Sequence, residues 1–533
     1  MIYFNRRLST RVRLLLALLS ALLLSAGWIG AGGLPLLIAF VPLLFISAEY
    51  SGSLRDTMAM LGWAALSFVV WNVATVWWVW NAAPIGTIAA TVVSSWWSLV
   101  AFMLFHVVSK RAPSAIAYML FIVGWIACEY IYIEAPAMSF PWLVLGNGFA
   151  NDVWAVQWYE YTGVLGGSLW VLIVNVLAFK SLLTMRKRTW IATTLALALP
   201  IVLSVALYMA NDPSSARNTE RERVKVAVVQ PNVPCYEKFT SDVGTQQDNL
   251  VALLGEVSDS VDFVLMPETS LGVTIDESRR GDYDVVRRMV EQLRARRMGA
   301  MVVCGTSSLR LYGNVAGSAT ARYSNGLYYD LYNSSLGVDS LANALPMHHK
   351  AKLVIGVETL PAWFRSNGLF GVDLGGITGQ LGIGESALPF VHNGVAVAPA
   401  ICYEAMYGDF MGEFVRGGAQ ILGVVSNDGW WGNTPGHRYL FAYCRLRAIE
   451  HRRAIARSAN TGVSGFIDMR GEDVSRLEWE ERGVLTADLP LNDEPTLYTR
   501  YGDYIGRLSL YLAILSLLYA VAYWAKRRFY LVP

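Results

Sequence analysis

The sequence predicts an α/β domain inserted in a polytopic membrane protein, with seven apolar spans before it and one after. Three observations carry this. First, only 16% of the 533 residues are charged and 54% are hydrophobic, with a mean hydropathy of +0.38; soluble domains carry roughly 25% charge. Second, the deficit is local. Residues 14–54, 56–109 and 112–179 hold no Lys or Arg, whereas residues from about 215 to 505 have ordinary soluble composition. Third, that soluble region alternates short β-branched runs with amphipathic stretches, as strands covered by helices do.

Stretches of about 20 apolar residues cross a hydrocarbon core of roughly 30 Å. They fall at about 14–32, 34–49, 57–80, 88–109, 114–133, 166–184 and 189–210, and the eighth at about 506–525. The second is short and carries Pro35 and Pro42. The first is read as retained, because further spans follow at once and no small-x-small site precedes a soluble start. Basic residues set the orientation. Arg6, Arg7, Arg11 and Arg13 precede the first span, and Arg55, Lys110–Arg111 and Arg186–Lys187–Arg188 lie in alternate loops. Lys526, Arg527 and Arg528 follow the last span. All fall on one side, so both termini are expected in the cytoplasm and the large domain outside. The expected divisions are a seven-helix membrane domain (1–213), an exported catalytic domain (214–505) and a closing helix with a basic tail (506–533).

The net charge of +2 forms no single basic patch, so nucleic acid is not an expected partner. Five cysteines (Cys128, Cys235, Cys304, Cys402, Cys444) are too few and scattered for a disulfide framework. Cys304 and Cys444 read as core positions. The tryptophans of VWWVW (76–80) and SSWWS (94–98) flank one short external loop and read as interfacial. The sharper reading is that they help seat the lipid or the loops beneath the exported domain.

Within the soluble region, the runs at 224–230, 261–268, 300–306, 394–404 and 419–428 suit sheet interiors. Residues 283–299 have helical spacing with Gly299 as the closing residue. LYNSSLGV and SGFIDMRGEDVSRL add further strands and turns. ANDPSSARNTERER reads as the linker into the domain, and TLYTRYGDY as the return to the last span.

Three segments bring the residue types of acyl transfer to strand ends. PAICYEAMY (399–407) carries Cys402, LMPETS carries Glu268, and HHKAKLVIGVE carries Lys350. A thiol is a poor nucleophile while protonated, so a carboxylate such as Glu268 is suited to take its proton. The tetrahedral intermediate needs fixed positive charge or N–H donors, which Lys350 and the Tyr403 backbone can supply. Each residue alone has a plain structural reading: a solvated cap, a packed cysteine, an exposed loop. Their joint occurrence argues for a site. His348–His349 suggest a metal only in isolation, since no further His or Cys cluster follows at ligand spacing. No metal or organic cofactor is expected.

The order Glu (PET), Lys (HKxxL), Cys (CYE) resembles the nitrilase, or carbon–nitrogen hydrolase, superfamily, which implies an αββα sandwich. Set between membrane spans, it resembles the apolipoprotein N-acyltransferase family of bacterial inner membranes. QPNVP (230–234), YNSS around Asn333, SNDGWWG (426–432), FPWL (140–143) and RAIEHRRAIARSANTGVSGFID match further blocks. The resemblance implies Glu268 as general base, Lys350 as oxyanion stabiliser and Cys402 as the acylated nucleophile. Glu358, Asn333, Tyr403 and Glu404 would support them, and Trp430 and Trp431 would wall the site. Phe239 stands where the family has a tryptophan on a mobile loop, and VIGVE replaces the usual VPFGE before Glu358.

The implied reaction is ping-pong. A phospholipid gives an acyl chain, from its sn-1 position, to Cys402, and the α-amine of a diacylglyceryl cysteine at an apolipoprotein N-terminus takes it. Apolar residues at 361–371, including Trp363, Phe364 and Phe370, are expected to dip into the bilayer. The nearest rival is a membrane-tethered amidohydrolase acting on a small amide, which has no need of eight spans. A transporter would place polar groups within the spans, and these are few: Asn72, His106, Glu129, Asn175 and Lys180.

Overall fold

A computed structural model describes residues 8–135, 138–213, 221–236, 238, 242–342, 345–359 and 380–529. Phe239 and the 361–371 segment lie outside the described residues. The chain divides into two compact units. One comprises Met1–Trp77, Pro84–Leu207 and Asp503–Pro533; the other comprises Trp78–Ala83 and Tyr208–Gly502.

The N-terminal part forms α1 (Thr10–Ser25), α2 (Val41–Glu49), α3 (Leu54–Val76), α4 (Pro84–Ser109), α5 (Ser114–Glu134), α6 (Tyr159–Thr184) and α7 (Lys187–Ala210), the last of which ends three residues into the second unit. A last helix runs from Tyr504 to Phe529. Seven apolar helical segments thus come before and one after. Among the described residues, seven helices are long and apolar enough to cross a membrane, and Leu34–Glu49 is shorter.

That segment is broken because Pro35 and Pro42 each sit in a first turn, where a missing N–H costs nothing. It becomes a 3₁₀ turn (Leu34–Ile38) followed by α2. Asn175 of α6 closes the break: its Oδ1 accepts the Phe40 N–H at 2.7 Å and its Nδ2 donates to the Leu36 carbonyl at 2.8 Å. His106 pairs with Ser47 at 2.8 Å, and Glu129 accepts the Leu145 N–H at 2.9 Å. These intramembrane polar groups are joints between segments. Pro200 inside α7 has no N–H for the Ala196 carbonyl, and the Trp170 indole of α6 donates to that carbonyl at 2.8 Å.

The second unit begins with β1 (Arg223–Gln230), α8 (Val243–Glu256), β2 (Phe263–Met266), β3 (Thr274–Asp276) and α9 (Asp284–Ala295). Next come β4 (Met301–Gly313), β5 (Arg322–Ser324), β6 (Leu327–Val338), β7 (Met347–His349), β8 (Phe390–His392) and β9 (Val395–Ile401). α10 (Gly408–Arg416), β10 (Ile421–Ser426), α11 (Pro435–His451), β11 (Ala454–Ala459), β12 (Ser464–Ile467), β13 (Asp473–Leu477), β14 (Gly483–Pro490) and α12 (Leu497–Tyr501) complete it; the Tyr504–Phe529 helix is α13.

Among the described residues the strands form two sheets. One runs β14-β1-β2-β4-β6-β5, with β3 beside β4 and β7 beside β6; the other runs β13-β12-β11-β10-β9-β8. Strand alternation builds the layers. Val224, Val226, Val228, Phe263 and Leu265 face Val397, Ile421, Ala456 and Phe466 in a core between the sheets. The opposite face of the first sheet, with Ala227, Val229, Val264 and Met266, packs on Leu250, Leu253 and Leu254 of α8 and Val286, Met289 and Leu293 of α9. α10 and α11 cover the second sheet. This is the expected αββα sandwich.

The helix expected to close at Gly299 ends earlier. Arg296 donates to the Leu254, Gly255 and Val257 carbonyls, and the chain turns at Arg297 with φ +54°.

Candidate active site

Parallel strands end on the same edge of their sheet, so residues just beyond those ends collect there. Glu268 follows β2, Asn333 lies in β6, and Lys350 follows β7. Gly305 of β4 makes room for Glu268: a Cβ there would lie 2.4 Å from the Glu268 Cα.

The four polar side chains meet as a closed network. Lys350 Nζ donates to Glu268 Oε1 at 2.9 Å and to Glu358 Oε1 at 3.0 Å. Asn333 Nδ2 donates to the same two oxygens, at 2.7 Å each. Glu358 Oε2 accepts the Val354 N–H at 2.7 Å, so the VIGVE sequence still brings this carboxylate to the lysine. All four residues are buried. Burial alone would depress the Lys350 ammonium, but the charges of Glu268 and Glu358 hold it well above its ordinary value. Burial likewise pushes Glu268 up, and the charge and hydrogen bond of Lys350 with the bond from Asn333 outweigh it, leaving the carboxyl below its ordinary value.

Cys402 stands where β9 turns into a short 3₁₀ segment, Cys402–Met406. Its φ of +50° is left-handed, an uncommon state that points the side chain out of the strand line. Burial raises its thiol well above the ordinary value, Glu268 adds to the rise and Lys350 opposes it. At rest Cys402 is therefore a neutral thiol. Glu404 holds the turn: it accepts the Ile401 N–H at 2.7 Å, the Ala351 N–H at 2.7 Å and lies 3.0 Å from His348 Nε2. One carboxylate thus joins the cysteine turn to the lysine turn. His348 is committed to Glu404, and His349 to Ser334 at 2.9 Å and Glu277 at 3.2 Å.

Trp430 and Trp431 occupy the turn Gly429–Trp431 after β10. Below that turn, Asp428 forms a buried two-pronged ion pair with Arg457 at 3.0 and 2.7 Å. Trp431 packs edge-on to Trp78, with ring centroids 4.8 Å apart, and Trp430 packs against Tyr236 at 5.6 Å. Asn81 Nδ2 donates to the Trp431 carbonyl at 2.8 Å. Trp78 is thus a buried residue of the second unit, packed on the Gly429–Trp431 turn.

Comparison with known proteins matches two family models. Carbon–nitrogen hydrolase covers residues 225–496, and the N-terminal domain of apolipoprotein N-acyltransferase covers 20–177. A relative from Chlorobaculum tepidum named apolipoprotein N-acyltransferase is 32% identical over 501 residues, 91% of each chain. The chain belongs to the apolipoprotein N-acyltransferase family. A second relative of that name, from Allorhizobium ampelinum, is 28% identical over 92% of this chain and 93% of its own. A carbon–nitrogen hydrolase superfamily protein of Xanthomonas campestris is similar in fold, with 18% identity, TM-score 0.36, and coverage of 50% of this chain and 91% of that chain.

Sequence reasoning missed Lys238 and His348 as neighbours of this buried network. Lys238 lies four residues after QPNVP and is buried, with its Nζ 2.8 Å from the Glu268 carbonyl. Its place just before Phe239, in a block already matched to the family, was the one signal available.

Proposed function

We propose that the chain moves an acyl group from a phospholipid to the α-amine of an apolipoprotein's diacylglyceryl cysteine, through a thioester on Cys402. The observation that carries this reading is one buried ammonium held between two carboxylates beside a buried neutral thiol. A thiol kept protonated needs a base at the moment of attack, and Glu268 is an ionised carboxylate that can take the proton.

In the first half-reaction the Cys402 sulfur attacks the ester carbonyl as its proton passes to Glu268. The oxyanion forms against Lys350 and the Tyr403 N–H. Collapse expels the lysophospholipid alkoxide, which recovers the proton from Glu268. In the second, the acceptor amine attacks the thioester and Glu268 takes its proton. The thiolate leaves and is reprotonated, so an amide and a free thiol result. Glu358 and Asn333 keep Lys350 aimed, and Glu404 keeps the Cys402 turn in place. A buried site disfavours water as the competing nucleophile. The match to the membrane domain of the family favours this reading over a small-amide hydrolase.

The family has bacterial members named for this activity, and the chain is a multi-pass membrane protein. The one-sided Lys and Arg support an inner-membrane location with both termini cytoplasmic and the catalytic domain, residues 214–505, outside. Residues 1–213 and 506–533 then form the membrane portion.

The test is to incubate the purified protein with phospholipid and weigh the Cys402 peptide, then add a diacylglyceryl peptide. The expected result is a mass gain of one acyl group on Cys402, discharged by the peptide amine. An unmodified Cys402 with lipid turnover intact would overturn it.

A further inference from the structure

The geometry points to Lys238 as a positioning residue for Glu268: its ammonium fixes the backbone on which the base is mounted. Lys238 Nζ donates to the Glu268 carbonyl and to Thr269 Oγ1, both at 2.8 Å. The lysine is 2% exposed. Its own backbone is held at both ends, the N–H by the Pro234 carbonyl at 3.0 Å and the carbonyl by Gln246 Nε2 of α8 at 2.8 Å.

Glu268–Thr269 needs such a clamp. Thr269 has φ +50°, a left-handed conformation that β-branched residues rarely adopt. On the other side of the same peptide lies Gly305 of β4, close enough that a Cβ would meet the Thr269 nitrogen at 2.6 Å. The base is therefore seated between a glycine that admits it and a lysine that holds it. A neutral donor would meet the same two acceptors without burying a charge, so a lysine here suggests that the charge matters. A second cation beside Glu268 also favours its ionised form. The groups facing Lys238 are Glu268 on the β2 side and Cys235 on its own segment, with the neutral Gln246 from α8. Burial lowers the ammonium to about 8, with Cys235 and Glu268 partly opposing.

The assignment rests on Cys402 acylation as the reaction. It is tested on the full chain in vesicles of phosphatidylethanolamine and phosphatidylglycerol, without acceptor, because an acceptor α-amine titrates in the same range. Single-turnover acylation of Cys402 in the natural sequence should be level below pH 8 and fall to about a tenth of that level by pH 9, as the ammonium discharges. Lys238→Met should slow acylation at pH 7 about tenfold or more, in the limiting single-turnover rate with little change in the lipid level that half-saturates it, and should lose the step near pH 8. Thr269→Val removes one acceptor from the charged lysine, so its step should move to lower pH. A level profile through pH 9 in the natural sequence, or an unchanged step in Lys238→Met, would overturn the assignment. Should Lys238→Met fail to fold, the natural and Thr269→Val profiles decide. Should Cys402 take up no acyl group at all, the proposed function falls. Alkylation of Cys402 by iodoacetamide then decides for Lys238: an equal rate in Lys238→Met overturns it, and a tenfold slower rate upholds it.

Discussion

Two carboxylates sharing one ammonium make Lys350 the residue on which the site's charge balance turns. Lys350→Met would leave Glu268 and Glu358 buried together with only Asn333 between them, and is expected to cost about 3–5 kcal/mol in addition to activity; a urea melt in detergent measures it. Glu268→Gln keeps the shape and the bond from Asn333 but cannot take a proton, so acylation of Cys402 should fall roughly 10²–10⁴-fold, while Cys402→Ala should give no acyl-enzyme by mass. A third residue sets an acid limit on stability. Burial raises Glu277, but His349 and Arg310 outweigh it and hold the carboxyl at about 2, against an ordinary value of 4.5. The folded value is the lower one, so the stabilisation is complete above pH 4.5 and is lost as pH falls through about 2. Glu277→Gln should flatten the dependence of the melting temperature on pH across that window. At this scale the sequence was informative wherever a short motif surrounds the residue. Glu268, Asn333, Lys350 and Glu358 were singled out by their flanking residues, and they are hydrogen-bonded to one another. Lys238 and His348 were not, because a buried lysine and a carboxylate-bound histidine look the same in sequence as exposed ones.

Among elements, those buried on both faces were the easiest to read. β1, β2, β4, β9 and β10 lie inside their sheets and appear as nearly unbroken β-branched runs. Three-residue strands such as β3, β5 and β8 are too short to show a period. β14 was missed for a different reason. It is an edge strand with polar residues exposed, and its pairing with β1 joins Arg223 to Pro490, far apart in sequence. The broken segment at 34–49 shows how side chains decide an element's length: two prolines start new turns, and an asparagine from α6 satisfies the exposed backbone. Pro200 poses the same problem in α7 with a different solution, which gives a clean test. Trp170→Phe strips the Ala196 carbonyl of its donor and should cost about 1–3 kcal/mol. In a Pro200→Ala background the restored N–H can serve Ala196, so the same Trp170→Phe change should cost much less, and thermal melts of the four proteins give the difference.

For the molecule as a whole, composition separated lipid-facing from soluble stretches, yet it assigned one short piece to the wrong company. Residues 78–80 fall in the apolar stretch expected at about 57–80, and residues 81–83 in the loop that follows it. Their packing places them in the second unit, where Trp78 is buried against Trp431 and over Gly436. A Cβ on Gly436 would meet the Trp78 ring at 2.5 Å, so this contact is as tight as any in a protein core. Trp78→Ala should therefore act as a core truncation, lowering stability by about 3–5 kcal/mol, with Cys402 acylation slowed as the Gly429–Trp431 turn loses its support. Trp96 of the neighbouring SSWWS group is 62% exposed and offers the contrasting control: Trp96→Ala should leave the melting temperature nearly unchanged. One practical consequence concerns chimaeras. Grafting the hydrolase-like body of one relative onto the helices of another, cut at the obvious junctions near 208 and 502, would separate six residues from the body they complete. A working transplant has to carry the donor's 78–83 hairpin tip along with it.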